Sequence, residues 1–419
     1  MENFKFKEDY EFDLIVYGAT SFTGKLVTEY LWKNYPPSDS FKWAIAGRDK
    51  NKLNEAQTRL SIENSNQQKI PIITANSNDQ STLEDLVKRT KVILTTVGPY
   101  AKYGSKLVAA CAKHGTDYCD LAGETQWISK MIDAHEKIAQ KTGARIIHAC
   151  GFDAIPSDMG VFYLQKHAQE KLQKPIHKIK MYVKAMRGGA SGGTIASILN
   201  IIKEGKGNRD IARLVSHPYA LNPKDKRNGP DVRDNNTFAL DKTLNLWTAP
   251  FIMSSINTRI VRRSNALMNY PYTEDFSYTE SVLCGKNVTG RFKSIIITMV
   301  LGFFVLLSSN RMTRKYIIKK MLPKPGEGPT KKQRENGFFK LLMVGLIDED
   351  SLINLEITGD RDPGYGSTSK MLSETAICLA CDNINTKGGS WTPASALGEK
   401  LLARLESKAG MKFKILEKE

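Results

Sequence analysis

The stretch that decides the fold is Leu14-Ile15-Val16-Tyr17-Gly18-Ala19-Thr20-Ser21-Phe22-Thr23-Gly24, near the start of a 419-residue chain. A short apolar run, typical of a buried strand, ends at a glycine turn, and an amphipathic helical pattern follows over residues 26–31. Backbone amides and the helix dipole at such a turn favour an anion. The stretch therefore predicts that residues 18–24 hold the pyrophosphate of a dinucleotide, although Ser21 stands where a middle glycine is usual.

Five more strand patterns follow this turn and alternate with helical patterns, at residues 43–46, 70–74, 92–97, 118–121 and 145–149. Their cores are continuously apolar, which indicates a parallel sheet covered by helices on both faces. We therefore predict an α/β protein in which residues 1–153 form a Rossmann-type, doubly wound dinucleotide-binding domain.

The pattern changes after residue 153, because strands become longer and amphipathic, at 176–185, 258–263 and 352–358. These strands predict a second, α+β domain over residues 154–390, built on a largely antiparallel sheet. A polar stretch at 218–241 is read as a surface loop. The pattern of residues 391–419 predicts a helix followed by a strand. These two elements could return to the first domain.

The end of the second strand bears on the choice of cofactor. NAD enzymes usually place a carboxylate there to bind the ribose 2′-hydroxyl, whereas this chain has Ala46-Gly47-Arg48. A guanidinium binds a 2′-phosphate, so Arg48 favours NADP as the cofactor. Asp49 leaves open the alternative that a carboxylate turns back toward the ribose.

Candidate catalytic residues follow the fourth and sixth strands, whose carboxyl ends border the ligand in an open α/β sheet. Gly98 and Pro99 are expected beside the nicotinamide, with Tyr100 and Tyr103 as candidate proton donors. The alternative for each tyrosine is a packing role. Asp153 is expected to orient the substrate or the nicotinamide ribose.

Two further groups are candidates for contact with the substrate. Gly192, Gly193 and Thr194 precede an apolar helix and offer backbone amides to a carbonyl or a phosphate, or else form only a flexible connection. Arg259, in the predicted strand 258–263, could hold an anionic carrier. No metal site is expected, because Cys378 and Cys381 form a single C-x-x-C pair without a second pair.

The net charge of +17 accompanies a thirteen-residue apolar segment at 295–307. The sequence from Arg311 to Arg334 contains nine basic residues and one acidic residue, Glu327. This arrangement favours peripheral contact with an anionic membrane, and a buried core helix or a homodimer contact are the alternatives. Nucleic-acid binding has no supporting motif. The charged N-terminus resembles no secretory signal, so a cytoplasmic protein is expected.

Several motifs together resemble the saccharopine dehydrogenase-like oxidoreductase family, and more closely its trans-acting enoyl reductase subfamily of bacterial lipid synthesis. The resemblance extends over most of the chain. Its motifs are residues 18–24, Ala46-Gly47-Arg48, Val97-Gly98-Pro99-Tyr100, residues 151–158, residues 187–194 and residues 257–265. Ser21 is the main departure, since the family usually has glycine there.

The resemblance implies that the chain uses NADPH to reduce a carbon–carbon double bond on a lipid or polyketide-type acyl chain. It also implies a partner, a polyketide or fatty-acid synthase that leaves this bond unreduced, and a substrate that is free or carrier-bound. Two alternatives remain: reduction of an imine to a secondary amine, as in saccharopine dehydrogenases, and an idle NADP-binding protein at a lipid surface.

Overall fold

The protein folds into an α/β structure with a parallel and a mixed sheet, as the sequence predicts. Each sheet has seven strands, one more than the six expected in the first. The computed structural model describes residues 10–63, 69–188, 192–310, 312–313, 328–347 and 351–416, and the side chains of residues 63 and 192–198 lie outside the description. The basic residues between 311 and 324 therefore also lie outside the described residues.

The first sheet is parallel and has the strand order β13-β6-β5-β4-β1-β2-β3. Its first six strands and their helices are β1 (Phe12–Tyr17), α1 (Phe22–Asn34), β2 (Trp43–Gly47), α2 (Lys50–Glu63), β3 (Ile72–Thr74), α3 (Gln80–Lys88), β4 (Thr90–Thr95), α4 (Tyr100–Tyr103), α5 (Ser105–His114), β5 (Asp117–Cys119), α6 (Thr125–Thr142) and β6 (Arg145–Ile147). This is the doubly wound order expected of a dinucleotide-binding domain.

The second sheet is mixed and has the order β14-β12-β11-β7-β10-β9-β8, with β7 and β10 as its parallel pair. The elements after β6 are α7 (Ile155–Leu172), β7 (Lys178–Arg187), α8 (Gly192–Gly207), α9 (Arg209–Ser216), β8 (Ala239–Asp241), β9 (Leu246–Pro250), α10 (Ser254–Leu267), β10 (Ser277–Gly285), α11 (Asn287–Ser309), α12 (Lys331–Glu335), β11 (Phe338–Leu346), β12 (Leu352–Gly359), α13 (Thr368–Cys381), β13 (Gly389–Trp391), α14 (Pro393–Ser407) and β14 (Met411–Leu416).

Strand β1 shows why its residues form a central strand. Successive side chains of a strand point to opposite faces. Leu14 and Val16 join a core that continues into the second sheet, while Ile15 and Tyr17 join a separate core on the other face. All four are almost fully buried. A continuous apolar run therefore forms a strand because both faces of its sheet are covered.

The C-terminal third of the chain contributes to both sheets. Helix α13 packs against β1, β4 and β5, and β13 pairs in parallel with β6 at the edge of the first sheet. Strand β14 instead pairs with β12 in the second sheet. The return to the first domain is thus made mainly by residues 368–391; α14 also contacts β6, whereas the last strand does not return. The alternating burial of β14 suits an edge strand with one exposed face.

The predicted strand at 258–263 is wrong, because these residues lie in helix α10. β-Branched residues alternating with arginines imitate a strand pattern, but the segment is buried on nearly every side. Its arginines are partnered within the protein: Arg259 and Arg262 form ion pairs with Asp234 and Asp231. Arg263 donates to the backbone carbonyls of Leu221 and Ser390.

Candidate active site

The glycine turn at the end of β1 is built by close backbone packing. Gly18 has a φ of +88°, a conformation that favours glycine. A Cβ at Gly24 would lie 2.1 Å from the carbonyl oxygen of Gly18, so α1 can approach the turn only with glycine there. Ser21 has a φ of −68° and caps α1, because its Oγ accepts from the amide of Gly24 at 2.9 Å. Serine therefore fits where the family usually has glycine.

A cavity of about 1470 Å³ opens at the carboxyl ends of β1, β2, β4 and β6. It brings together most of the residues predicted from sequence: Gly18, Thr20, Ser21, Phe22, Thr23, Arg48, Gly98, Pro99, Tyr100, Tyr103 and Asp153. Ala19 and Gly24 do not line the cavity; Ala19 is fully buried and Gly24 packs against the turn. The turn and the first residues of α1 thus line the cavity at a helix N-terminus, where the helix dipole favours a pyrophosphate.

One end of the cavity, at β2 and α2, is positively charged. We call this the cationic end; its residues are Lys25, Arg48, Lys52, Arg59 and Ser77, and its four cations outnumber the two carboxylates that line the same end, Asp49 and Glu55. Arg59 also pairs with Glu29 at 3.1 Å. Lys52 and Arg59 stand seven residues apart on α2 and share a helix face, which is the sequence signal by which Arg59 could have been found.

Asp49 does not reverse the preference of the cationic end for the 2′-phosphate of NADP over the 2′-hydroxyl of NAD. Its carboxylate accepts from the backbone amide of Lys52 at 3.1 Å, at the start of α2. A carboxylate used as a helix cap is directed at the helix amides. The guanidinium of Arg48 and its cationic neighbours therefore define a site that fits a ribose 2′-phosphate.

Beyond β1, on the side of β4 and β6, the cavity has apolar walls. We call this the apolar end; its residues are Phe152, Met186, Ile201, Phe251, Ile252, Met253 and Ile256. They come from four separate segments of the chain. Phe152 precedes α7, and the other three segments follow it. Sequence reasoning named none of them, because apolar residues on separate elements carry no local signal.

Tyr100 forms part of the cavity wall, and its hydroxyl is held there by hydrogen bonds to the backbone. Its hydroxyl donates to the carbonyl of Thr95 at 3.1 Å and accepts from the amide of Leu121 at 3.2 Å. Burial, reinforced by the negative charge of Asp120, raises its pKa well above the ordinary value. Glu124 accepts from the amides of Tyr100 and Ala101, so it fixes the start of α4. The packing alternative describes Tyr100 best.

Asp153 and Tyr103 differ from Tyr100 because they offer polar atoms to the cavity. Burial raises the pKa of the Asp153 carboxyl to about 6. Among the residues that the structure describes, no hydrogen bond to this carboxyl is present. Tyr103 lines the cavity beside the ammonium of Lys102, which lies 4.9 Å from its ring centroid. Asp153 can therefore hold a proton near neutral pH at the boundary of the apolar end.

The predicted substrate contacts fare differently. Arg259 does not line the cavity; it is 1% exposed, pairs with Asp234 and donates to the carbonyl of Val215. A buried, paired guanidinium is a structural group, so its assignment to the substrate is a correction. Gly192, Gly193 and Thr194 form the first turn of α8, and the Thr194 side chain lies outside the described residues. Within the described part of the chain, no group of three or more metal-ligating side chains occurs.

Comparison with known proteins agrees with this geometry. The family model of the saccharopine dehydrogenase NADP binding domain matches residues 14–147. A trans-acting enoyl reductase of Mycobacterium leprae is 36% identical over 410 residues, which cover 95% of this chain and 96% of the relative. A trans-acting enoyl reductase of Mycobacterium ulcerans is 34% identical over 407 residues, covering 94% and 96%.

Two solved structures share the fold. Saccharopine dehydrogenase (L-Glu forming) from Saccharomyces cerevisiae has a TM-score of 0.51 and 11% identity, covering 96% of this chain and 99% of its own. Homospermidine synthase from Legionella pneumophila has a TM-score of 0.52 and 9% identity, covering 99% and 93%. At such identities the likeness concerns the fold alone.

Fold and site together define an NADP-dependent oxidoreductase of the Rossmann type. The chain belongs to the saccharopine dehydrogenase-like family and, within it, to the trans-acting enoyl reductases.

Proposed function

We propose that this protein uses NADPH to reduce the carbon–carbon double bond of an α,β-unsaturated acyl thioester whose chain is of the lipid or polyketide type. The names of the relatives support the reaction type. The observation that carries the proposal is the chemistry of the apolar end. Among the described residues that line this side of the cavity, Asp153 and Tyr103 are ionisable groups beside apolar walls.

Apolar walls of this kind favour an acyl chain over an amino acid. An amino-acid substrate of an imine reduction carries charged carboxylates and an amine, which need paired charges when they leave water. In α10, after the wall residue Ile256, the three arginines Arg259, Arg262 and Arg263 are buried in contacts within the protein. They are therefore not free to pair with the carboxylates of an imine substrate.

Conversion of an enoyl thioester to a saturated one needs a hydride at the β-carbon and a proton at the α-carbon. When bound, NADPH supplies the hydride. The protein must then stabilise the negative charge that develops on the thioester oxygen and deliver the proton. In this proposal Asp153 delivers the proton, because it lines the cavity beside the apolar end and its raised pKa of about 6 leaves a protonated fraction near neutral pH. Tyr103 is the second polar group within the same stretch of wall.

The substrate, in this proposal, reaches the cavity on a carrier from a polyketide or fatty-acid synthase that lacks its own reductase. The cationic surface of the protein, with a net charge of +17, suits an acidic carrier. The acyl chain stays bound to its carrier as a thioester while its double bond is reduced, so the cavity must open to solvent for the carrier to leave with the product.

The test measures NADPH consumption with two substrate types. A long-chain enoyl pantetheine thioester should be reduced, and the saturated thioester should appear in equal amount by mass spectrometry. The matched control is the pair of a 2-oxo acid and an amine, which form an imine. Turnover of the imine pair alone would overturn the proposal in favour of the saccharopine dehydrogenase reaction. NADPH binding without turnover of either would establish an idle binding protein.

A further inference from the structure

Helix α11 has the reverse of the polarity expected for a helix on a water-soluble domain. The residues of this helix that are buried against the protein are Gly290, Ser294 and Ser308. Its outward side is apolar, and six large residues on it are each 59–80% exposed: Val288, Phe292, Met299, Val300, Phe303 and Leu306. A helix in water buries its large apolar residues and exposes small polar ones. The outward face of α11 is therefore matched to an apolar solvent.

Both ends of α11 are held against the same domain. At its start, the Gly290 backbone packs against Gly285, the last residue of β10, so closely that a Cβ at Gly290 would lie 2.4 Å from the Gly285 carbonyl oxygen. At its end, the ammonium of Lys206 in α8 donates to the carbonyl of Ser309 at 3.1 Å. The helix is long and apolar enough to cross a membrane by composition. Because both ends are anchored, it presents its side along about 35 Å instead of projecting from the domain.

Positive charge accompanies this face. Lys286, Arg291 and Lys293 are exposed at the start of α11. Beyond its end, the sequence between Arg311 and Arg334 carries nine basic residues and one acidic residue. Lys286, Arg291 and Lys293 lie beside an apolar face and complement a layer of anionic headgroups, and the basic sequence that follows the helix has the same sign.

We propose that α11 docks the protein side-on onto an anionic phospholipid surface, with its apolar face in the acyl boundary and its flanking cations among the headgroups. The position of α8 gives the docking a use. This helix packs against α11, and its Ile201 lines the apolar end of the cavity. The apolar end therefore lies one helix away from the lipid surface.

Flotation with lipid vesicles tests the proposal without any reference to catalysis. Full-length protein should float with phosphatidylcholine vesicles that contain phosphatidylglycerol, and severalfold less with pure phosphatidylcholine or at high salt, because salt screens the cations. The triple variant F292S/F303S/L306S should lose roughly a hundredfold or more in vesicle affinity, since three large side chains no longer leave water.

The matched control is the triple variant I62S/L172S/V232S, which removes exposed apolar residues elsewhere and should float like the wild type. The shift in melting temperature on NADPH addition should be equal in all three proteins, which establishes that each is folded. If the α11 triple variant fails this check, the single variant F303S replaces it, with roughly a tenfold loss expected.

Three results would overturn the docking: no flotation of the wild type on anionic vesicles at low salt, equal flotation of wild type and α11 variant, or a dimer in solution that the α11 variant splits while neither protein floats. Loss of enoyl reduction with retained flotation would count against the proposed reaction and leave the docking intact.

Discussion

The cationic end and the apolar end of the cavity recognise their ligands by opposite means. The cationic end comes mainly from one continuous stretch, residues 17–59, and acts through charge and backbone amides. The apolar end is assembled from side chains between residues 152 and 256 that act through shape. Cofactor recognition is thus local in the sequence, whereas substrate recognition depends on tertiary packing. Substitutions should separate the two.

The largest effect is expected from Gly24→Val, which should abolish binding of NADPH and NADH alike. Any Cβ at this position would collide with the Gly18 carbonyl and force α1 away from the turn. Fluorescence titration measures binding, and circular dichroism measures the fold. Gly207→Ala is the control, because no atom lies within 4 Å of its added Cβ. Normal NADPH affinity in a folded Gly24→Val variant would mean that the turn is not the phosphate site.

Asp153→Asn should lower the rate of enoyl reduction by about a hundredfold, the usual contribution of a positioned proton donor. The acid is the active form, so wild-type activity should be highest below the pKa of about 6 and fall as the pH rises through it. The variant should lack this titration while it binds NADPH normally. Tyr103→Phe is the companion variant. If the pH profile of enoyl reduction changes in Tyr103→Phe and not in Asp153→Asn, then Tyr103 is the proton donor.

Arg48→Ala should weaken NADPH binding by about tenfold to a hundredfold and leave NADH binding nearly unchanged, since a charged hydrogen bond to the 2′-phosphate is lost. Isothermal titration with both cofactors measures this difference. Lys50→Ala is the matched control, because Lys50 is a neighbouring cation that does not line the cavity. Equal losses for both cofactors would show that Arg48 does not read the 2′-phosphate.

The smallest effect is expected from Met186→Glu, which places a charge at the apolar end. The KM for a long-chain enoyl thioester should rise about tenfold, because the chain loses apolar contact, while the Kd for NADPH stays the same. Met186→Leu controls for a change of shape. Since Met186 is 49% exposed, the fold should tolerate both variants. An unchanged KM would place the acyl chain elsewhere.

The first six strands of the first sheet could be predicted from sequence because their signals are local, whereas the short β13, Gly389-Ser390-Trp391, carries no apolar run and is missed. The glycine turn with Arg48 marks the cofactor site within one stretch. Even the departure at Ser21 is harmless, because the backbone there needs no left-handed conformation.

Helix α10 could not be predicted, because its surroundings come from elsewhere in the chain. Arg259 and Arg262 resemble exposed strand residues until Asp234 and Asp231 are known to reach them. Both aspartates lie in the stretch 218–241, which reads as a polar surface loop. The burial of paired charges is a tertiary property, as is the convergence of Met186, Ile201 and Ile256 on one wall.

The return of the chain through α13 and β13 has a consequence for how the protein is made. One face of the first sheet is covered by α13, and its outer edge is closed by β13, so residues 368–391 are needed to complete a domain that begins at β1. A ribosome must therefore synthesise most of the polypeptide before the nucleotide-binding half can close. A fragment that stops at residue 153 leaves β6 with an unpaired edge and exposes the part of the sheet face that α13 covers, which is a surface prone to aggregation.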